Sequence, residues 1–406
     1  MVVTKKLLTA ATLLASLFAA ALCQAAVLPE DRVDVLYHAY DGGGAEINGP
    51  SILMRKQFAE TVSVWGNYYA DMVTNASIDV ETGGSTQGYS EDRTEFSLGV
   101  DYLYDKTTLS LSYTNSSEND YDAETVGFAL SQDFFGDLTT LSLNYSQGND
   151  TVMSNADNDL PSEEQLADPV NHQRYGIGLS QILTKNWIIS LNAETVVDEA
   201  TPEFDSEYSA LANPYRSAMF YDAATGSRLS QREKYPFTRN SDAFAIRSMY
   251  YLPYRAAVRL EYRVFSDSWG IEADNYELRY IHPIGDQWTI EAKYRNYSQT
   301  QANFYSDLFN ERDEYTFMAR DKELSTYTST SMGVGGSYVI KAGWLQFVDK
   351  ASVNLFVDTM SFEYDNFRDA RESMNLPGRP AVAAVGQESM YQFDATVIRL
   401  FISVLY

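Results

Sequence analysis

From Phe96 to Tyr104 every second residue is large and apolar (Phe96, Leu98, Val100, Tyr102, Tyr104), while Glu95, Ser97, Gly99 and Asp101 between them are small or polar. Successive side chains of an extended chain point to opposite faces, so this run has one oily face and one wet face. After a turn at 105–107 the pattern resumes with Leu109, Leu111 and Tyr113 against Ser110, Ser112 and Thr114, which makes the two runs a hairpin. The same design returns at Val126, Phe128 and Leu130, at Tyr175, Ile177 and Leu179, at Leu260, Tyr262 and Val264, and at Ile398, Leu400 and Ile402. A chain so written is all-β with one apolar surface shared by nearly every strand.

Such alternation suits either a soluble sandwich or a barrel whose oily face meets lipid, and the connections decide between them. Strands at about 33–40, 51–57, 61–71, 94–104, 108–115, 124–132, 138–147, 174–182, 187–196, 242–252, 256–265, 272–282, 287–297, 330–340, 349–359 and 392–406 make roughly sixteen. Links after even-numbered strands are mostly short, and links after odd-numbered ones are mostly long, notably 147–173, 197–241, 298–329 and 360–391. Short periplasmic turns and long external loops produce that rhythm, and a sandwich has no reason to. The expected fold is a transmembrane antiparallel up-and-down β-barrel of about 16 strands in the cell outer membrane. The last strand agrees, because Ile398, Leu400, Ile402, Val404 and Tyr406 share one face and resemble the signal that the barrel-assembly machinery reads. Tyr102, Tyr104, Trp187, Tyr262, Tyr276 and Trp288 lie where aromatic girdles meet the membrane interfaces.

The amino terminus reads as an export signal over 1–25, with Lys5 and Lys6 before an Ala-rich apolar run, leaving 26–406 as one barrel domain. Cys23, the single cysteine, would depart with it, which removes disulfides and thiol chemistry from the mature chain. A formal net charge of −26 argues against nucleic acid, whose binding relies on Lys and Arg displacing counterions. Outer-membrane lipid and lipopolysaccharide are the expected surroundings, and self-association into a homo-oligomer is compatible with them.

If the oily faces meet lipid, the opposite faces line a lumen. Arg247, Arg259, Glu261, Arg263, Glu277, Arg279, Glu291, Lys293 and Arg295 then form a charged wall, basic on balance, with Asp71, Glu95, Asp101 and Glu124 lining an acidic side early in the chain. Such a wall either selects ions or consists of charges that satisfy one another. Two long loops carry aromatics and charge, Arg216 and Arg239 in one and Arg320, Asp321, Lys322 and Glu323 in the other; they either fold inward as a constriction or cap the rim. Asp150, Asp157, Asp159 and Asp168 form a weak calcium candidate, without the EF-hand glycine and terminal Glu. His38, His172 and His282 show no metal-ligand spacing, and His38 beside Asp41 is a weak hydrolytic pair. No motif points to an enzyme or a cofactor. The expected function is a porin-like channel or transporter for small hydrophilic solutes, with a plugged barrel docking an envelope lipoprotein or redox protein as the alternative.

Several runs also carry a resemblance: 38–45 (HAYDGGGA), 49–56 (GPSILMRK), 76–80 (ASIDV), 89–93 (YSEDR), 117–121 (SENDY), 213–217 (NPYRS), 304–309 (FYSDLF) and 319–325 (ARDKELS). In them the sequence resembles the bacterial family catalogued as domain of unknown function 3570, taken to be outer-membrane barrels without an assigned activity. The resemblance implies the barrel and its location. It also implies an envelope redox setting, since such genes often neighbour a small lipoprotein and a periplasmic flavin transferase, but it assigns no residue a role.

Overall fold

The structure, a computed structural model, describes residues 27–75, 78, 82, 89–153, 167–201, 207–213, 216–340, 348–376 and 378–406, so the export signal at 1–25 lies outside it. In chain order the strands are β1 (Arg32–Gly42), β2 (Ala45–Phe58), β3 (Val62–Asn75), β4 (Tyr89–Tyr104), β5 (Thr107–Ser117), β6 (Tyr121–Phe134), β7 (Thr139–Met153), β8 (Ala167–Thr184) and β9 (Trp187–Ala200). There follow β10 (Ser217–Asp222), β11 (Ser227–Arg232), β12 (Thr238–Tyr251), β13 (Ala257–Asp267), β14 (Glu272–Ile284), β15 (Trp288–Gln299), β16 (Tyr327–Ile340), β17 (Lys350–Arg368) and β18 (Met390–Leu405). Sixteen of them close one antiparallel barrel, and β10 with β11 forms a separate hairpin. Closure runs through β1 and β18, from Arg32 opposite Leu405 to Gly42 opposite Ala395, so the sheet keeps no free edge. Where β1 turns into β2, Gly43 and Gly44 hold φ of +62° and +83°, a left-handed pair that non-glycine residues enter only under strain.

The outward faces divide into two zones. Along β4, Tyr104, Tyr102, Val100, Leu98 and Phe96 are exposed and apolar, and the next outward positions, Thr94, Asp92 and Ser90, are polar. Leu111, Phe128, Ile177, Leu260, Leu278, Ile290, Leu355 and Leu400 continue this belt around the barrel. Tyr104, Trp187, Tyr254 and Trp288 ring its edge at the short turns, while Tyr113, Tyr175, Tyr262 and Tyr276 stand toward the other edge. Above the belt the strands go on into water as a turret. Inside the turret, where a soluble protein would have its core, buried Tyr121, Val152, Val170, Tyr364, Phe367 and Tyr391 pack with loop residues Tyr235, Trp269, Tyr305 and Leu324.

The turret corrects the strand limits read from sequence. Expected limits of 174–182 and 349–359 become Ala167–Thr184 and Lys350–Arg368, because outward alternation loses its apolar half once a strand leaves lipid. It also corrects Glu124, which shares the outward parity of Val126 and Phe128 and accepts a hydrogen bond from the Tyr113 hydroxyl at 3.2 Å instead of lining the lumen.

Candidate functional site

Inside the belt the lumen has two unlike sides. One is the charged wall, carried by β12 to β18. Each of Arg247, Arg259, Glu261, Arg263, Glu277, Arg279, Glu291, Lys293 and Arg295 occupies the inward parity of its strand. Most are paired across neighbouring strands: Arg247 with Glu261 at 2.5 Å, Arg259 with Glu277 at 2.5 Å, Arg279 with Glu277 at 3.0 Å and with Glu291 at 2.7 Å, and Lys293 with Asp358 at 2.6 Å. Arg399 joins the row through Asp358. Arg263 stands 3.7 Å from Glu194, and Arg295, with no salt bridge among the described residues, lies 5.9 Å over the Tyr297 ring. The wall is thus a cross-strand ladder of alternating charge in which the arginines exceed the acids.

The other side, from β5 to β9, is mostly neutral and small: Ser110, Ser112, Gly127, Ala129, Ser142, Asn144, Gly176, Gly178, Ser190 and Asn192 take inward positions, and its charges, Arg174 and Glu194, stand 3.8 Å apart near the outer end. Asn144 and Asn192 face inward and are nevertheless solvent-exposed, so there is open space beside this arc. By contrast the flanking inward faces carry aromatics laid over glycines: on β3 and β4 a Cβ on Gly99 would meet the Trp65 indole at 2.2 Å, and within the wall one on Gly335 would meet the Phe356 ring at 2.0 Å. Residue size therefore biases the free lumen toward β5–β9.

The long external loops fold together over the mouth. The 201–237 connection, which contains the β10–β11 hairpin, and the 300–326 connection are zipped by main-chain bonds: Tyr221 N to Phe309 O at 2.9 Å, Phe309 N to Met219 O at 2.8 Å, and Lys234 with Met318 in both directions at 2.9 and 2.8 Å. Asp307 binds them to the third long loop and to β17. It accepts from Arg228 at 3.1 Å, from Arg320 at 3.2 Å and from the Arg368 amide at 3.1 Å, while Arg228 also donates to Glu388 at 2.9 Å. Burial opposes its charge, but Arg320 and then Arg228 hold the Asp307 carboxyl below the usual carboxylate range.

The loop residues singled out in the sequence fall into this cap. Arg216 donates to Asp321 at 2.6 Å and lies 3.8 Å from Glu323; Asp321 caps the short helix Lys322–Leu324, in which Lys322 is buried. Gln299, at the outer end of β15 and facing inward, donates to the Glu323 and Ser325 carbonyls at 2.8 Å, which seats that helix against the lumenal wall. Arg320 lies 4.3 Å over Phe367. Arg239 is apart from them, bound to Asp267 at 2.6 Å and 4.5 Å over Trp269. Buried Glu233 accepts from the Arg320 amide at 2.6 Å; burial, then Asp321, pushes its carboxyl up to about 7. The two loops form one packed lid together with the third, a cooperation invisible in any single loop's sequence.

The acids near the mouth are arranged differently from the sequence reading. His38 and Asp41 point to opposite faces; His38 instead contacts Asp71 at 2.6 Å and stacks on Tyr69 at 5.2 Å. Asp150 is taken up by His172 at 3.0 Å and by the Tyr121 hydroxyl, while Asp157 and Asp159 lie outside the described residues. A cluster that sequence reading missed comprises Glu91, Glu118 and Asp120, all buried, with one carboxylate oxygen of each within 4.8 Å of the others. Burial pushes the Glu118 carboxyl up to about 7 although Arg93 pulls it down. The signal was present: two of the three acids lie in 117–121 and the third in 89–93, but only the register of β4 with β5 brings the runs together.

Solved structures similar to this chain are bacterial outer-membrane proteins. The siderophore receptor PirA from Acinetobacter baumannii is 12% identical at a TM-score of 0.41, with 82% of this chain and 53% of that chain covered, so this chain spans about half its length. A bacterial polysaccharide outer membrane secretin is 7% identical at 0.46 with 93% and 99% covered, and the outer membrane protein OprD from Pseudomonas aeruginosa is 9% identical at 0.37 with 93% and 94% covered. Nothing among curated proteins matches the sequence significantly. A family model does, over residues 79–349, two thirds of the chain, and the protein belongs to that family, described as protein of unknown function (DUF3570).

Proposed function

We propose that this barrel sits in the outer membrane and passes small hydrophilic solutes along the neutral arc of β5–β9, with the charged ladder opposite setting ionic preference. The observation that carries this reading is the exposure of Asn144 and Asn192 at inward positions, where a filled barrel would bury them. Serines, with Asn144 and Asn192 laid over Gly176 and Gly178, offer a solute donors and acceptors of no net charge. On the other side, fixed charges act over about a Debye length, roughly 8 Å at physiological salt, so a solute on the arc is within reach of the ladder only where the free lumen is no wider than that. The test is planar-bilayer conductance of the purified barrel. Asn144→Trp, filling the arc, should cut single-channel conductance at least by half, and Leu143→Trp, one residue away on the lipid face, should leave it alone. Equal effects, or no channels from folded wild type, would sink the reading.

A second reading rests on the lid. Three loops joined by buried ion pairs form a rigid external surface, which suits a barrel that docks a partner such as an envelope lipoprotein and conducts little. Conductance of wild type separates the two.

A further inference from the structure

The acids Glu91, Glu118 and Asp120 lie on the rim between β4 and β6, away from the neutral arc and outside the lid's ion pairs. Glu91 is 7% and Asp120 3% exposed, and the Glu118 side chain is 3% exposed. Among the described residues, Arg93 is the cation in ion-pair contact with this trio, its Nε 3.5 Å from Glu118, but its Nη2 is engaged by Glu95 at 2.7 Å. Asp120 is the telling member: its Oδ1 is buried and accepts no hydrogen bond. A buried carboxylate oxygen without a donor is costly, and three such groups side by side repel unless a cation or shared protons intervene.

The geometry admits a cation. Oxygens of one calcium shell stand no further apart than about 4.8 Å, twice a Ca–O distance of about 2.4 Å, and the three carboxylates meet that bound. A proton shared between two of the carboxyls would relieve part of the repulsion, whereas a cation at the centre serves all three and also Asp120 Oδ1, which no protein donor reaches. All-oxygen donors favour a hard divalent ion over a soft one. Magnesium, which demands a strict octahedron and sheds its waters reluctantly, is the weaker candidate for a buried set of three carboxylates. We propose that Glu91, Glu118 and Asp120 bind a calcium ion that ties the β5–β6 turn to the outer end of β4. Calcium would also order the neighbourhood, because the same turn holds β7 through Met153 N to Asp120 O at 2.7 Å.

The experiment uses the full folded protein in detergent, stripped with EDTA, and equilibrium dialysis against labelled calcium. Wild type should hold one calcium per chain with a dissociation constant below about 1 mM, the range of extracellular sites. Binding at that site should weaken at least tenfold in Glu118→Gln/Asp120→Asn. It should be unchanged in Asp122→Asn/Glu124→Gln, which removes two outward acids of the same hairpin, and magnesium should compete only at tenfold higher concentration. Thermal unfolding gives a second readout with a change of sign. In EDTA the Gln/Asn variant should melt at or above wild type, because repulsion is relieved, and in calcium below it. Folded wild type that binds no calcium, loss of binding equal in the two double variants, or a variant less stable than wild type in EDTA as well as in calcium would each overturn the proposal. If the double variant does not fold, wild type alone still tests it: calcium should slow amide exchange at Tyr121 at least tenfold over EDTA, and unchanged exchange refutes it.

Discussion

Asp307 is the keystone of the lid, and its charge can be removed without changing its shape. Asp307→Asn leaves acceptor oxygen for the Arg368 amide but takes the negative charge from between Arg228 and Arg320, whose side chains are 1% and 2% exposed. Arg228 keeps Glu388, and Arg320 has no other carboxylate within salt-bridge distance among the described residues. Removing one partner from a buried ion pair typically costs about 3–5 kcal/mol, because the remaining charge stays dehydrated. Since Glu388 and the aromatic face of Phe367 partly compensate, the lower end, about 3 kcal/mol, is expected. At about 1.4 kcal/mol per decade, lid opening should rise roughly a hundredfold. Hydrogen exchange followed by mass spectrometry reads this at the zipped amides of Tyr221, Phe309, Lys234 and Met318. The barrel itself, held by strand ladders that Asp307 touches only at Arg368, the outermost residue of β17, should keep its heat-modifiable migration on gels. Exchange at those amides within threefold of wild type would refute the claim that Asp307 holds the loops together; loss of the folded barrel would refute the separation of lid from barrel.

Three further outcomes are expected. Leu111→Arg, on the lipid face, should destabilise the barrel by about 2–4 kcal/mol near mid-bilayer, and Ser112→Arg, facing the lumen, should be tolerated; denaturant titration in lipid vesicles compares them. Replacing Arg259, Arg263, Arg279 and Arg295 by Gln should shift the reversal potential under a salt gradient toward cation preference, and an unchanged potential would reduce the ladder to internal pairing. Glu233, whose folded carboxyl titrates at about 7 against an ordinary 4.5, supplies lid stability that is full below the ordinary value and is lost as pH rises through about 7. Amide exchange in the lid should therefore quicken from pH 4.5 to 7 after correction for intrinsic rates, and Glu233→Gln should flatten that rise.

The membrane part of this fold was legible because lipid imposes the simplest rule on sequence: one side of each strand must be apolar for the height of the bilayer. All sixteen barrel strands stand where the alternation put them, and the inward parity of the nine wall residues follows from it. Legibility stopped where that rule stops. The outer halves of β8 and β17 carry polar residues outward, Asn171 and Gln173 on one and Glu363 and Asp365 on the other, and so read as loop. The β10–β11 hairpin was missed for a related reason: its stability comes from Phe220 against Phe309, a contact across about ninety residues with no local signature. The acid trio and the Asp307 cluster depend in the same way on register and loop packing, which spacing along the chain does not encode.

Two energetic regimes therefore divide one continuous sheet. Within the belt the structure is held by the closed ladder and by charges paired between nearby strands of its inner face. Above it, water surrounds the sheet and the usual rule returns, with apolar groups turned inward around Tyr235, Trp269, Tyr305 and Phe367. Because these aromatics pack on the loops as much as on the strands, the lid and the turret form one cooperative unit. The belt does not need that unit to stay closed, since its hydrogen bonds run strand to strand. A perturbation of the lid can then loosen the loops while leaving the barrel intact. That independence lets the mouth carry strain that the belt need not share, and it is there that buried carboxylates such as Asp307, Asp321, Glu233 and Asp120 gather.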